Sequence, residues 1–313
     1  MTKVLCPLSN SKNIEKIEDI LVDDIKRLYL RNLNINLESE MIDVDSIGLY
    51  HCLDSDLFFF SPAMTGSEAF YEVLQRRYGY YMDEKDEYGY ASEWIRPTDH
   101  VLEIGCGKAA FSDHLSTPHY CGLEFSQKAI EMAQSKGRDV RLESIQDHSN
   151  HYAETYDVVC AFQVLEHVSE LDQFIRSSIA CLKPNGILIY STPSLDSFAR
   201  KVINFTLDMP PHHVTRWTDK ALKNISHYYP VNHVEIWHEP LQAIHQKFYL
   251  ETIIMSAFSR RLNRPFKIID FRMSTKLLAF VSHIFAKLIL TGLTDENHLP
   301  AGQTVVAVYR KFS

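Results

Sequence analysis

From Asp99 onward, short apolar runs alternate with helix-length stretches. HVLEIG, YCGLEF, DVRLES, YDVVCAF and GILIYSTP are the apolar runs, and between them QKAIEMAQSKG and LDQFIRSSIACL bring an apolar residue round every three or four positions. Strands alternating with helices predict a parallel sheet covered on both faces. Two further strands are expected at 233–237 and 304–309, and the helical sequence between them reads as an insertion over one end of the sheet. The predicted fold is α/β: a doubly wound, seven-stranded, mostly parallel, Rossmann-like sheet with a helical insertion before the last strand.

Before residue 95 the pattern changes. Acidic, helix-like sequence around 14–30 is followed by the compact run LFFFSP and then by a segment crowded with tyrosines. A small N-terminal module is expected at 1–62 and a larger domain at 63–313, divided at Pro62.

The 313 residues are 45% hydrophobic, enough for a substantial core. A net charge of −8, with no basic run longer than Arg260-Arg261, argues against nucleic acid as a partner. Six scattered cysteines suit a reducing compartment, and the first ten residues do not look like a leader, so a cytoplasmic location is expected. The most apolar stretch, 275–293, is interrupted by Lys276, Ser282, His283 and Lys287, which argues against a membrane span. It reads as an amphipathic helix packed on the protein, with peripheral membrane contact as the lesser alternative.

The clearest chemistry lies at Val101-Leu102-Glu103-Ile104-Gly105-Cys106-Gly107-Lys108-Ala109, a buried strand ending in a glycine turn that opens a helix at Ala110. Such a turn lets backbone N–H groups approach a ligand closely. Gly105-x-Gly107-x-x-Ala110 also satisfies the relaxed dinucleotide fingerprint, so the glycines alone leave a nicotinamide cofactor open. Glu103 discriminates: a carboxylate at a buried strand end repels a pyrophosphate and suits the ammonium group of an amino-acid ligand. Glu124 ends the next strand 19 residues after Gly105, the spacing at which an acid accepts hydrogen bonds from ribose hydroxyls.

With these features the chain resembles the class I S-adenosylmethionine-dependent methyltransferases. The resemblance runs on through Tyr156-Asp157-Val158-Val159, Val164-Leu165-Glu166-His167-Val168 and Leu182-Lys183-Pro184-Asn185-Gly186, and covers roughly 65–313. It is nearest to the small-molecule and polysaccharide-associated branch with a Pro-Pro-His-His stretch, here Pro210-Pro211-His212-His213. The third loop glycine of the family is Ala109, and Asn185 replaces a turn glycine.

The resemblance implies S-adenosylmethionine as cofactor. Gly105, Cys106 and Gly107 would line its methionine and ribose portion, Glu124 the ribose, Phe125 an adenine face, and Ile145 and Gln146 the adenine edge. Phe162 and Gln163 would sit beside the sulfonium, and a tyrosine-bearing helix containing Tyr81 would fold over it. The lesser alternatives are that Phe125 and Phe162 are core residues and that Gln146 is a solvated loop residue.

Methyl transfer needs chiefly an acceptor held in line with the carbon–sulfur bond. A hydroxyl acceptor would also need a base, for which His167, His212 and His213 at strand ends are the candidates. The acceptor is expected to be O or N of a small molecule, with a sugar or glycan precursor of polysaccharide biosynthesis favoured by the branch. The Glu-x-x-Glu-His segment of ubiquinone-biosynthesis O-methyltransferases, associated there with a divalent metal, begins here with Gln163, and no metal is expected. The alternatives are a nicotinamide-dependent oxidoreductase or epimerase, and a non-catalytic protein that has kept the fold.

Cys6-Pro7-Leu8-Ser9 and Cys52-Leu53-Asp54-Ser55 resemble two knuckles of a zinc ribbon in which each second cysteine has become serine. Two thiolates and two hydroxyls bind zinc poorly. A ribbon-like module that has lost its metal is expected.

Overall fold

A computed structural model describes residues 4–76, 84–290 and 300–313, so Tyr81 lies outside the described residues. The chain opens with β1 (Ile14–Leu21), α1 (Val22–Leu33), β2 (Ser46–Cys52) and β3 (Phe58–Ser61). The three strands pair antiparallel in the order β1-β2-β3. Burial at Ile25, Leu28 and Tyr29 follows the helical period of α1, which packs this face into a cluster with Ile47, Leu49 and Phe60.

Two turns in this region are alike. Cys6 N–H donates to Ser11 O, Asn10 N–H donates to Cys6 O, and Asn10 is left-handed (φ 54°). Cys52 N–H donates to Leu57 O, Asp56 N–H donates to Cys52 O, and Asp56 is left-handed (φ 64°). Asn and Asp tolerate that conformation best among non-glycine residues. The turns face each other, with Cys6 Sγ 3.2 Å from Ser55 Oγ and Ser9 Oγ 3.5 Å from Cys52 Sγ.

The rest of the chain runs α2 (Glu68–Gln75), α3 (Asp86–Ser92), β4 (Val101–Ile104), β5 (Tyr120–Leu123), α4 (Gln127–Ser135), β6 (Val140–Arg141), α5 (Ile145–His151), β7 (Tyr156–Phe162), α6 (Leu171–Cys181) and β8 (Leu182–Pro193). It finishes with β9 (Thr215–Arg216), α7 (Asp219–Tyr228), β10 (Val231–Pro240), α8 (Ala243–Arg261), α9 (Met273–Ile289) and β11 (Ala301–Lys311). The main sheet has seven strands in the order β10-β11-β8-β7-β4-β5-β6. The ladders from β8 through β6 are parallel, whereas β11 runs antiparallel between β8 and β10. The seven-stranded α/β architecture expected from the alternation is therefore the one the chain adopts. The chain leaves β4 toward β5 and β6 on one side and returns to β7 and β8 on the other, so a ligand crevice opens at the β4/β7 switch.

Four local features depart from the sequence pattern or add to it. The helix expected at Ala110 is a single 3-10 turn, Ala110–His114, in which Ser112 Oγ donates to Ala109 O. The pair β9, which follows the Pro-Pro-His-His stretch, hydrogen-bonds to β3 and so becomes the fourth strand of the N-terminal sheet. Cys6, Cys52 and Phe59 share a core cluster with Leu102 of β4, Tyr190 of β8 and Trp217. Finally, α9 packs through Thr275, Ser282 and Ala286 and turns its large apolar residues outward, the reverse of an ordinary amphipathic helix.

Candidate active site

One cavity of about 1310 Å³ lies at the carboxyl ends of the parallel strands. Gly105, Cys106, Gly107, Glu124, Phe125, Ile145, Gln146, Phe162, Gln163, His167, His212 and His213 all line it. Every described residue that the sequence marks as a site residue is on this wall except Glu103.

The cofactor end is built by the turn after β4. Gly105 (φ 70°) and Gly107 (φ 53°) are left-handed, and a Cβ on Gly105 would fall 2.7 Å from Val164 Cγ2. Glycine is needed there for conformation and for space. Ala109 is left-handed as well (φ 59°), a strained state for a residue with a Cβ. Glu124 receives the N–H groups of Gly107, Phe125 and Ser126 at 2.8, 2.9 and 2.8 Å, which holds its carboxylate across the turn. Phe125 is 68% exposed and forms part of the rim, whereas Phe162 is buried against Tyr88 and Phe111.

Glu103 sits behind the wall, 2% exposed, and accepts the Tyr120 hydroxyl. Burial pushes its pKa up to about 8, against the pull of the Tyr120 bond and of Lys85. Its direct partner is thus a tyrosine from β5, and its field reaches the cavity without contact.

Among the carboxylates that line the cavity, one comes from α3. Glu87 is buried, receives Gln163 Nε2 at 2.9 Å and lies 3.4 Å from Lys85 Nζ. Sequence reasoning passed over Glu87 because an acid in a charged, tyrosine-rich helix gives no sign that tertiary packing will bury it. Gln163 is left-handed (φ 57°), a conformation that turns the chain out of β7 toward the cavity.

The other end holds the histidines. His167 Nδ1 donates to His212 O at 2.6 Å, His212 Nδ1 donates to Leu207 O at 2.8 Å, and His213 Nδ1 lies 3.2 Å from Asp208 Oδ1. A neutral imidazole that donates through Nδ1, as His167 and His212 do, carries its proton there. One ring nitrogen from each histidine lies within 4.8 Å of those of the other two.

Burial holds His167 neutral, lowering its pKa to about 3 with the neighbouring His213 adding to the effect, and burial drives His212 well below the usual range too. Burial raises the Asp208 carboxyl, but Arg216 at 2.6 Å and His213 outweigh it and leave its pKa below the ordinary value. Glu166, fully buried beneath the trio, is pushed up to about 7 by burial and accepts from Thr192 Oγ1 at 3.2 Å. Asp208 and Arg216 also line the cavity, and neither could be singled out in the sequence.

Residues 74–229 match the family described as a methyltransferase domain. The chain carries an S-adenosylmethionine-dependent methyltransferase domain. The match sets aside the nicotinamide alternative, and the residues present fit the cofactor: at Gly105 the turn has no room for a side chain, and an acid follows at the end of the next strand.

This methyltransferase domain is 31% identical over 143 residues to the ubiquinone biosynthesis O-methyltransferase of Azorhizobium caulinodans, a match covering 42% of this chain and 56% of that protein. It is 26% identical over 160 residues to the enzyme of the same name from Histophilus somni, covering 41% and 67%. The first curated relatives are thus matched over 41–67% of their length. Among solved structures, a SAM-dependent methyltransferase from Archaeoglobus fulgidus aligns with 68% of this chain and 86% of its own at 18% identity and a TM-score of 0.43. Coclaurine N-methyltransferase bound to N-methylheliamine and SAH aligns with 72% and 71% at 15% identity and the same score.

Proposed function

We propose that the protein methylates a hydroxyl of a small polar molecule, in the class of sugars and glycan precursors, with His213 as the base. The reading rests on one observation: the cavity that contains the glycine turn and Glu124 also contains a buried histidine held by a carboxylate, that of Asp208. S-adenosylmethionine, when bound, supplies a methyl on a sulfonium that departs as a neutral thioether. Gly105, Cys106 and Gly107 would offer backbone groups to it, Glu124 would accept from ribose hydroxyls, and Ile145, Gln146 and Phe125 would take the adenine.

His213 Nε2 would accept the proton of the acceptor hydroxyl as that oxygen takes the methyl and the thioether leaves. Asp208 fixes the ring and stabilises its protonated form. His167 and His212, held neutral, accept hydrogen bonds from the acceptor without competing for its proton. Glu87 and Glu239, also on the wall, suit further hydroxyls of a polyhydroxylated acceptor. The O-methyltransferase names of the curated relatives favour oxygen over nitrogen.

One ring nitrogen from each of His167, His212 and His213 lies within 4.8 Å of those of the other two, which favours a second reading of the same trio, in which a divalent cation would be held there and would acidify the acceptor hydroxyl.

Calorimetry with S-adenosylmethionine and its demethylated product should show binding that Glu124→Ala weakens at least tenfold. Methyl transfer to a panel of sugar nucleotides and phenols should then fail in His213→Asn while cofactor affinity persists. Undiminished transfer in His213→Asn removes the base role, and transfer that follows added zinc or magnesium favours the cation.

The N-terminal module is in our reading a ribbon whose metal has been replaced by packing. The support is the pair of matched turns that bring Cys6, Ser9, Cys52 and Ser55 together.

A further inference from the structure

Helices α8 and α9 pack on each other as a hairpin beside the cavity. At its base Gln242 and His245 line the cavity, and Phe248 and Tyr249 pack on Phe198 at 5.5 and 5.4 Å. Farther out the two helices hold each other through Phe258 on Phe285 and His283 on Glu251.

The outward side of α9 is a stripe at helical spacing: Met273, Leu277, Phe280, Ile284 and Leu288. Leu277, Phe280 and Leu288 are 63%, 62% and 71% exposed, with Phe285 and Ile289 flanking them. The connection between the helices adds exposed Leu262 and Phe266. Apolar area of this extent calls for a covering phase.

Charge identifies the phase. Residues 243–289 contain eight Lys and Arg against Glu251 and Asp270, a net of +6 in a chain whose total is −8, which leaves −14 on the remainder. Both carboxylates are already paired, with Lys247, Arg264 and Arg272. Arg260, Arg261, Lys267, Lys276 and Lys287 are exposed and make no ion pair among the described residues. Exposed leucine and phenylalanine interleaved with unpaired cations, in an otherwise acidic protein, match the interface of an anionic bilayer, where apolar side chains enter the acyl boundary and cations meet phosphates. No helix among the described residues is long and apolar enough to cross a membrane, so the hairpin would lie on the surface.

We infer that the α8–α9 hairpin docks the protein on anionic lipid and presents the mouth of the cavity to molecules held at that surface. The inference does not depend on the methyl acceptor, but it narrows the acceptor to one that is lipid-anchored or amphiphilic.

Co-sedimentation of the full chain with vesicles of phosphatidylcholine alone and of phosphatidylcholine with phosphatidylglycerol in equal parts tests it. Binding is expected to the mixed vesicles, at least tenfold weaker to the neutral ones, and reversed by 0.5 M salt as screening shortens the reach of each charge. Phe280→Glu with Leu288→Glu should weaken it at least tenfold, as should Arg260→Ser with Arg261→Ser and Lys267→Ser. S-adenosylmethionine affinity should stay unchanged in both variants, which separates lost docking from lost folding. Absence of vesicle binding, binding indifferent to both variants, or a solution dimer that Phe280→Glu dissociates would overturn the inference. The last result would make a second copy the covering partner.

Discussion

Asp208 holds His213 Nδ1 with one carboxylate oxygen at 3.2 Å and Arg216 with the other at 2.6 Å. One largely enclosed acid therefore fixes the orientation of a cavity histidine and neutralises a buried cation. The ring is oriented by a partner five residues earlier, across the Pro-Pro bend, and Arg216 ties the pair to the N-terminal sheet through β9.

Asp208→Asn should lower kcat by a factor of about 10² to 10⁴ with little change in cofactor affinity, since it removes the group that holds the base. It should also destabilise the fold by about 3 kcal/mol by leaving Arg216 buried without its counter-charge. Asp208 has a depressed folded pKa, so its contribution is present above the ordinary carboxylate range and disappears as pH falls through the folded value. Denaturant unfolding at pH 7 and at pH 3 should show the difference between wild type and variant shrinking at the lower pH.

Glu103 and Glu166 act in the opposite sense. Their folded pKa values, about 8 and about 7, lie above those of the unfolded chain, so their favourable contribution is complete below about pH 4 and is lost as pH rises toward 8. Melting temperatures across pH 5 to 8.5 should fall less steeply in Glu103→Gln than in wild type. Affinity for the cationic methyl donor should rise over the same range as Glu103 ionises, and a flat affinity profile in wild type would contradict the assigned role of its field.

Gly105→Ala should weaken cofactor binding at least tenfold and cost about 1–2 kcal/mol, because a left-handed residue acquires a Cβ that strikes Val164. Val164→Ala in the same chain relieves the contact but not the backbone strain. Calorimetry on the single and double variants should therefore recover only part of the loss.

Ala109→Gly should stabilise the protein by up to about 1 kcal/mol, the balance between released left-handed strain and the greater freedom of glycine in the unfolded chain. Thermal unfolding checks the sign.

Ser9→Cys with Ser55→Cys should create a stoichiometric zinc site, since the two matched turns already bring the four side chains together. Elemental analysis should find about one zinc per chain in the double variant and none in wild type. Stoichiometric zinc in wild type would show that the module has not lost its metal.

The sequence by itself determined the parallel sheet, its glycine turn and the acid at the end of β5, because these depend on local period and fixed spacing. HVLEIG has to be a strand, Gly105 has to turn it, and Glu124 follows at a distance set by one helical connection. The same locality made the knuckle residues Cys6, Ser9, Cys52 and Ser55 legible as two pairs. Tertiary structure decided what depends on contact between distant segments: that Glu87 of α3 meets Gln163, that Tyr120 is the partner of Glu103, that β9 closes the N-terminal sheet, and that Asp208 chooses His213 among fifteen histidines. It also decided the orientation of α9. An apolar period shows that a helix has two unlike faces, but which face turns inward is fixed by what the rest of the chain has left to be covered, and here Thr275, Ser282 and Ala286 fill that space.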